Sequence, residues 1–195
     1  MYPALPRDVR LDVYHGDNVS GAANQQERLV RLGWVLGFVD GEGCFSIGFV
    51  RQPDRPERRG YSTGYQVLHR FVVTQGARSV SSLEEIKDFF GVGRIFENKR
   101  YDNHKEHLFQ YQVGRRSDLT DVIIPFFRRH QLRTSKQHDF EKFARCMEVV
   151  DANRHLTRKG LIEIATIAET MNHRKSRQEL IRILRGHTPD IQDTG

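Results

Sequence analysis

Asn24-Gln-Gln-Glu-Arg-Leu-Val-Arg-Leu-Gly-Trp-Val-Leu-Gly-Phe-Val-Asp40 runs directly into Gly41-Glu-Gly-Cys-Phe-Ser-Ile-Gly-Phe-Val50, and the hydrophobic period changes from 3.6 to 2 at Glu42. The first part starts polar and becomes apolar on nearly every side, through Leu29, Val30, Leu32, Trp34, Val35, Leu36, Phe38 and Val39. A helix lying on one neighbour needs a single apolar stripe, whereas apolarity all round implies burial on two sides. The helix expected over 24–40 therefore needs its own core and a second partner. Gly41-Glu42-Gly43 ends it, and the strand that follows sets Phe45, Ile47 and Phe49 against Ser46, Gly48 and Val50.

Outward from this stretch the same alternation of elements continues. Residues 51–64 form a turn-rich basic loop, and Tyr65 to Gln75 alternates Val67, His69, Phe71 and Val73 against Gln66, Leu68, Arg70, Val72 and Thr74. His69 falls with the core set. Ser82 and Glu85 have capping-box spacing, Val80, Leu83, Ile86 and Phe90 form a helical stripe, and Gly91 suits its end. Arg94 to Arg100 and His107 to Val113 read as a strand pair about a polar tip, 101–106; two lone histidines, His104 in the tip and His107 at its edge, are weak evidence for metal. From Ser117 onward the stripes are helical, with a second capping box from Ser176 to Glu179. Residues 1–23 have no sustained period and read as an irregular arm.

The chain of 195 residues has 31 Lys and Arg against 25 Asp and Glu, a formal charge of +6, which favours a polyanionic partner. Its two cysteines, Cys44 and Cys146, each lie in an apolar stretch without metal-ligand spacing and read as small core residues. The longest apolar run, Leu29 to Val39, is far too short for a membrane span and contains Arg31, and the N-terminus lacks a signal-peptide layout. A soluble intracellular protein is expected, in the cytoplasm of a bacterium or the interior of an organelle, with no membrane partner and no organic cofactor.

The element order predicts an α+β fold: an αββαββ core with a curved antiparallel four-stranded sheet, helices on one face, and further C-terminal helices. The expected division is an arm over 1–23, a core over 24–152 and a helical extension over 153–195. The other sheet face would carry Ser46, Gly48, Val50, Gln66, Leu68, Arg70, Val72, Thr74, Arg94, Gln110 and Gln112. That mixture suits hydrogen bonding to base edges in a major groove, and it is also what any half-solvated sheet displays. Basic loops at the strand ends favour DNA, because Arg51, Arg55, Arg58 and Arg59 on one, and Lys99, Arg100 and Lys105 on another, can neutralise phosphates.

Val35-Leu-Gly-Phe-Val-Asp-Gly-Glu-Gly43 resembles the LAGLIDADG motif of homing endonucleases. Phe71-Val-Val-Thr-Gln75, Phe90-Gly-Val-Gly93 and Leu132-Arg-Thr-Ser-Lys136 with Asp139-Phe140 are similar to that family's second strand, helix-to-strand turn and basic segment, so the likeness covers residues 25 to 185. It implies metal-dependent double-strand cleavage of a long, near-palindromic DNA site by an intron-homing enzyme. One copy of the motif implies a homodimer whose motif helices meet through Leu32, Leu36, Gly37, Phe38 and Gly41, although Leu36 replaces the alanine common at its position. Glu42 is the implied metal ligand, joined by the carbonyl of Gly41, with magnesium as the cation and manganese as a substitute. Gln75 is implied to position water. Lys136, ahead of Arg133, is the implied basic residue that organises solvent or stabilises phosphate charge. Arg78 and Ser79 lie near Gln75 as further candidates, and Asp40 reads as a hydrogen-bond acceptor at the helix end.

Relatives of the same fold include RNA-binding intron maturases and regulators that bind DNA without cutting it. A regulator has no use for the metal acid, so Glu42, Gln75 and Lys136 together favour the nuclease. A plain protein-binding module leaves the basic strand loops unused.

Overall fold

The computed structural model describes residues 21–52, 61–98, 107–172 and 176–186. Helix α1 (Gly21–Glu42) takes in three residues assigned to the irregular arm and runs past Asp40 through Glu42. Ala22, Ala23, Gln25 and Gln26 are good helix formers and explain the earlier start. Strand β1 (Gly43–Arg51) begins at the very next residue, so the change of period in the sequence is a helix joined to a strand with no loop.

Strand β2 (Tyr65–Gly76) leads through a 3-10 turn, Ala77–Ser79, into α2 (Val80–Phe90). The expected capping box at Ser82 does not form. The 3-10 turn delivers the chain into helical geometry at Val80, which places Ser82 inside the first turn, and Ser79 at the cap makes no side-chain bond. Gly91 does end the helix, in the left-handed region at φ 66°, with its N–H donating to the Lys87 carbonyl.

Strands β3 (Arg94–Asn98) and β4 (Leu108–Val113) follow, and the tip expected between them lies outside the described residues. The next helical stretch comprises α3 (Arg116–Asp118), a π-helical turn (Leu119–Ile123) and α4 (Ile124–Arg129). The widened turn lies just before Pro125, whose missing N–H removes one α-helical bond. Helices α5 (Lys136–Asp151), α6 (Arg158–Glu169) and α7 (Gln178–Leu184) complete the order. The Ser176–Glu179 capping box is also not formed. Arg177 occupies the cap position without a cap bond, and its guanidinium is committed elsewhere, donating to the Ile47 carbonyl at 3.1 Å and lying over the Phe49 ring.

The sheet order is β1-β2-β4-β3, with β2 and β3 each antiparallel to β4. The chain divides into two compact units, residues 1–44 with 71–134 and residues 45–70 with 135–195. In the first, Val35, Val39, Phe71, Val73, Tyr111 and Val113 are buried together with Leu83, Ile86 and Phe90 of α2 and Phe127 of α4. Phe71 meets Phe90, Tyr111 and Phe127 edge-on at ring separations of 6.0, 6.1 and 5.6 Å. The Tyr111 hydroxyl donates to the Val92 carbonyl at 2.9 Å, so the one polar atom on this core ring has a partner.

In the second unit Phe45 of β1 packs on Phe140 and Phe143 of α5, and α6 packs between α5 and α7. Here β1 is an edge strand, and two of its carbonyls are covered by side chains: Asn172 Nδ2 donates to Phe45 O at 3.0 Å, beside the Arg177 bond to Ile47 O. The edge is thereby closed to further strand pairing. His69 is half-buried, Cys146 fully buried and Cys44 half-buried.

Candidate nucleic-acid interface and catalytic centre

The end of α1 separates its two acids. Successive helical residues are about 100° apart, so Asp40 and Glu42 leave the axis on nearly opposite sides. Glu42 and Gly41 are exposed, and Asp40 is half-buried. The Asp40 carboxylate accepts from the Arg133 N–H at 2.8 Å, the Thr134 N–H at 3.2 Å and the Thr134 hydroxyl at 2.6 Å. It is an acceptor, as its position at the helix end suggested, but its donors come from a segment more than ninety residues away. Glu42 is left as the acid that faces solvent.

Gln75 is half-buried near the end of β2, directly opposite Phe109 of β4, and it shares the parity of the buried Phe71 and Val73. It thus lies on the covered side of the sheet at its rim. Arg78 is exposed and Ser79 half-buried in the adjoining 3-10 turn. Lys136 is the first residue of α5 and half-buried, and Arg133 is exposed in the same unit as Glu42 and Gln75.

Strand register groups the polar face into rows. In the first unit Val72, Gln112 and Arg94 lie side by side, as do Thr74, Gln110 and Phe96, and then Gly76, Leu108 and Asn98. Arg94 and Phe96 are exposed, and Val72, Thr74, Gln110 and Gln112 half-exposed. In the second unit a Cβ on Gly48 would lie 3.6 Å from the Leu68 Cβ, so those two are face neighbours, and Gln52 Nε2 donates to Gln66 Oε1 at 3.2 Å. Ser46, Gly48, Gln66 and Leu68 are half-exposed, and Val50, Arg51 and Arg70 exposed. Phe96 and Asn98 were absent from the expected face, although Arg94, Phe96 and Asn98 share one parity and the alternation already contained them. Arg55, Arg58, Arg59, Lys99, Arg100, His104 and Lys105 lie outside the described residues.

On α1, Leu32, Leu36 and Phe38 are half-buried, Gly37 is exposed, and Trp34 packs against Phe38 with tilted rings 5.2 Å apart. A Cβ built on Gly33, Gly37 or Gly41 meets nothing within 4 Å. Among the described residues no helix is long and apolar enough to cross a membrane, and no group of three His, Cys, Asp or Glu side chains is placed to hold a metal ion.

A family model described as LAGLIDADG endonuclease matches residues 35–147, from the end of α1 into α5. The chain belongs to this family. It is 30% identical over 138 residues to "Probable intron-encoded endonuclease 2" of Neurospora crassa, covering 71% of this chain and 26% of that protein. Among solved structures it resembles the homing endonuclease I-TnaI at 37% identity and a TM-score of 0.65, over 80% of this chain and 97% of the other. The LAGLIDADG homing endonuclease I-SmaMI, in a structure bound to cleaved DNA, matches at 31% identity and a TM-score of 0.64, over 80% of this chain and 48% of the other. A further I-SmaMI structure holds uncleaved DNA in the presence of calcium ions. The chain thus spans about a quarter of the curated relative, half of I-SmaMI and nearly all of I-TnaI. The α+β architecture read from the sequence is the one observed.

Proposed function

We propose that this LAGLIDADG family member is a site-specific DNA endonuclease acting as a homodimer on a long, near-palindromic site, with magnesium as its cation and manganese able to replace it. The observation that carries this reading is the exposed carboxylate of Glu42 at the junction of α1 and β1, where a helix open on its glycine side meets the first strand of a polar sheet face.

The donor set fits a divalent cation under one condition. Glu42 and the Gly41 carbonyl offer only oxygen, which suits a hard cation, but one carboxylate is too few. A second copy of the chain supplies another Glu42, and DNA phosphates supply the remaining oxygens. Two carboxylates brought to a two-fold axis repel, and bound cations offset that cost. When bound, the metal polarises the scissile phosphate and favours in-line attack by water.

Gln75, at the sheet rim, would orient that water through its amide. Lys136 would carry positive charge toward the phosphate. The face from Ser46 to Gln112 would read bases, and Arg58 and Arg59 would contact phosphates. In this reading residues 24–152 are the core and 153–195 a helical extension. An organelle or bacterial interior holding the intron's host gene is the corresponding location.

The test is incubation with magnesium and a plasmid carrying the intron-less host gene. A single double-strand break that vanishes with chelator supports the reading. Binding to the precursor RNA with no cutting of any DNA would replace it with the maturase reading.

A further inference from the structure

Asp40 and Glu42 leave one helix end on opposite sides, Glu42 exposed and Asp40 half-buried. The Asp40 carboxylate accepts from the consecutive backbone N–H groups of Arg133 and Thr134 and from the Thr134 hydroxyl. Charge-assisted bonds of this kind are short and strong compared with neutral ones. They hold a segment containing Arg128, Arg129 and Arg133, all exposed, against the end of the motif helix. The Arg133 guanidinium itself makes no hydrogen bond or ion pair among the described residues.

We propose that Asp40 is a positioning residue: its carboxylate anchors the Arg133–Thr134 backbone on the Asp40 side of the α1 C-terminus, so that the exposed Arg133 guanidinium is held where it contacts the phosphate backbone of bound DNA. This rests on the DNA-binding reading above. It gives the first acid of the motif a task distinct from that of the second, and it gives Arg133 a role in affinity separate from the catalytic role for which the resemblance put Lys136 ahead of it.

Asp40→Asn removes a negative charge, and charge alone then predicts tighter DNA binding. Positioning predicts the reverse, because the amide loses the charge-assisted bonds and releases the loop. The probe is a mixed-sequence duplex long enough to span two half-sites, titrated at several salt concentrations with calcium in place of magnesium, so that binding is read without cleavage. Arg133→Gln should lower the slope of log affinity against log salt by roughly one unit per lost phosphate contact, hence about two units for the two copies in the proposed homodimer. Asp40→Asn and Thr134→Val should weaken binding several-fold and lower the slope in the same direction.

In the Arg133→Gln background both substitutions should then have little further effect, which a merely structural role would not produce. If Asp40→Asn folds poorly, Thr134→Val, which keeps the backbone donors, still decides the matter. Equal or tighter binding by these variants with an unchanged slope overturns the positioning role while leaving the endonuclease reading intact. A wild-type protein with no affinity for any duplex overturns both.

Discussion

Gly43 sits so tightly against Val39 that a Cβ at position 43 would lie 2.7 Å from both the Val39 carbonyl oxygen and its Cγ1. That contact is why the helix can end on Glu42 and the strand begin on the next residue. One obstacle is backbone, so relief requires moving the helix end rather than rotating a side chain. Gly43→Ala should cost about 1–3 kcal/mol in urea unfolding. It should also reduce cleavage beyond what the lost stability explains, because Glu42 is the adjoining residue. Wild-type stability in the variant would show that the junction is looser than this packing implies.

Glu42→Gln should abolish cleavage while leaving DNA affinity within about tenfold, because the change removes the proposed metal ligand and touches little of the proposed base-reading face. Filter binding together with a nicking assay separates the two effects. Full cleavage by the variant would remove Glu42 from the metal site.

Stability should fall on the alkaline side. Burial pushes the Cys146 thiol up to about 12 from its ordinary 9.0, with the Glu163 carboxylate adding to the shift and Arg145 opposing it. Burial likewise raises the Tyr111 phenol, with Asp118 contributing. Between pH 9.0 and about 12 the unfolded chain has released the thiol proton that the folded chain keeps. The unfolded state then binds fewer protons, and stability declines as pH rises, by at most about 1.4 kcal/mol per unit for one group. Urea midpoints at about pH 8 and about pH 10 should show this decline. Cys146→Ala should flatten it, and an unchanged slope in that variant would assign the effect to other groups.

The helix-to-strand switch, the alternating faces and the αββαββ order were legible because each rests on a local period. Both capping boxes misled for a physical reason. A Ser three residues before a Glu marks a helix start only if the chain is not already helical, and at Ser82 a 3-10 turn had begun the helix. At Ser176 the neighbouring Arg177 was drawn to the edge of β1, 130 residues away in sequence. The Asp40 bonds to Arg133 and Thr134 were illegible for the same reason: nothing in the spacing of residues near 40 announces donors near 133. Phe96 is different, since the alternation from Arg94 contained it.

The three open glycines of α1 predict an oligomeric state. Glycine inside a helix costs about 1 kcal/mol relative to alanine, and nothing within 4 Å of a Cβ on Gly33, Gly37 or Gly41 justifies that cost in one chain. A close-packed second copy would. Gly37→Leu should therefore leave the fold of each chain unharmed, with no loss of thermal stability beyond that due to lost association. It should weaken dimerisation by about tenfold or more, since overpacking costs about 1–3 kcal/mol. Sedimentation at micromolar concentration reads this directly. A monomeric wild type, or a variant that dimerises equally well, would mean that another surface or another chain completes the site.

Specificity and affinity should come apart on the sheet face. Arg70 is exposed on β2 with the parity of Gln66 and Leu68, and Leu68 neighbours Gly48 on the same face. An arginine so placed can donate two hydrogen bonds to one guanine, and losing that pair costs about 1–3 kcal/mol at a single base. Arg70→Ala should relax preference at one position in each half-site, and symmetrically, because one substitution occurs twice in the proposed homodimer. Arg58→Ala changes a turn-rich loop and should weaken binding to all sequences alike, lowering the salt slope by roughly one unit per lost phosphate contact. Selection from a randomised target library at two salt concentrations measures both variants together. An unchanged selected sequence for Arg70→Ala would move the DNA contact off this face, and Leu68 and Val72 would leave it too, because side chains two residues apart on a strand share one side.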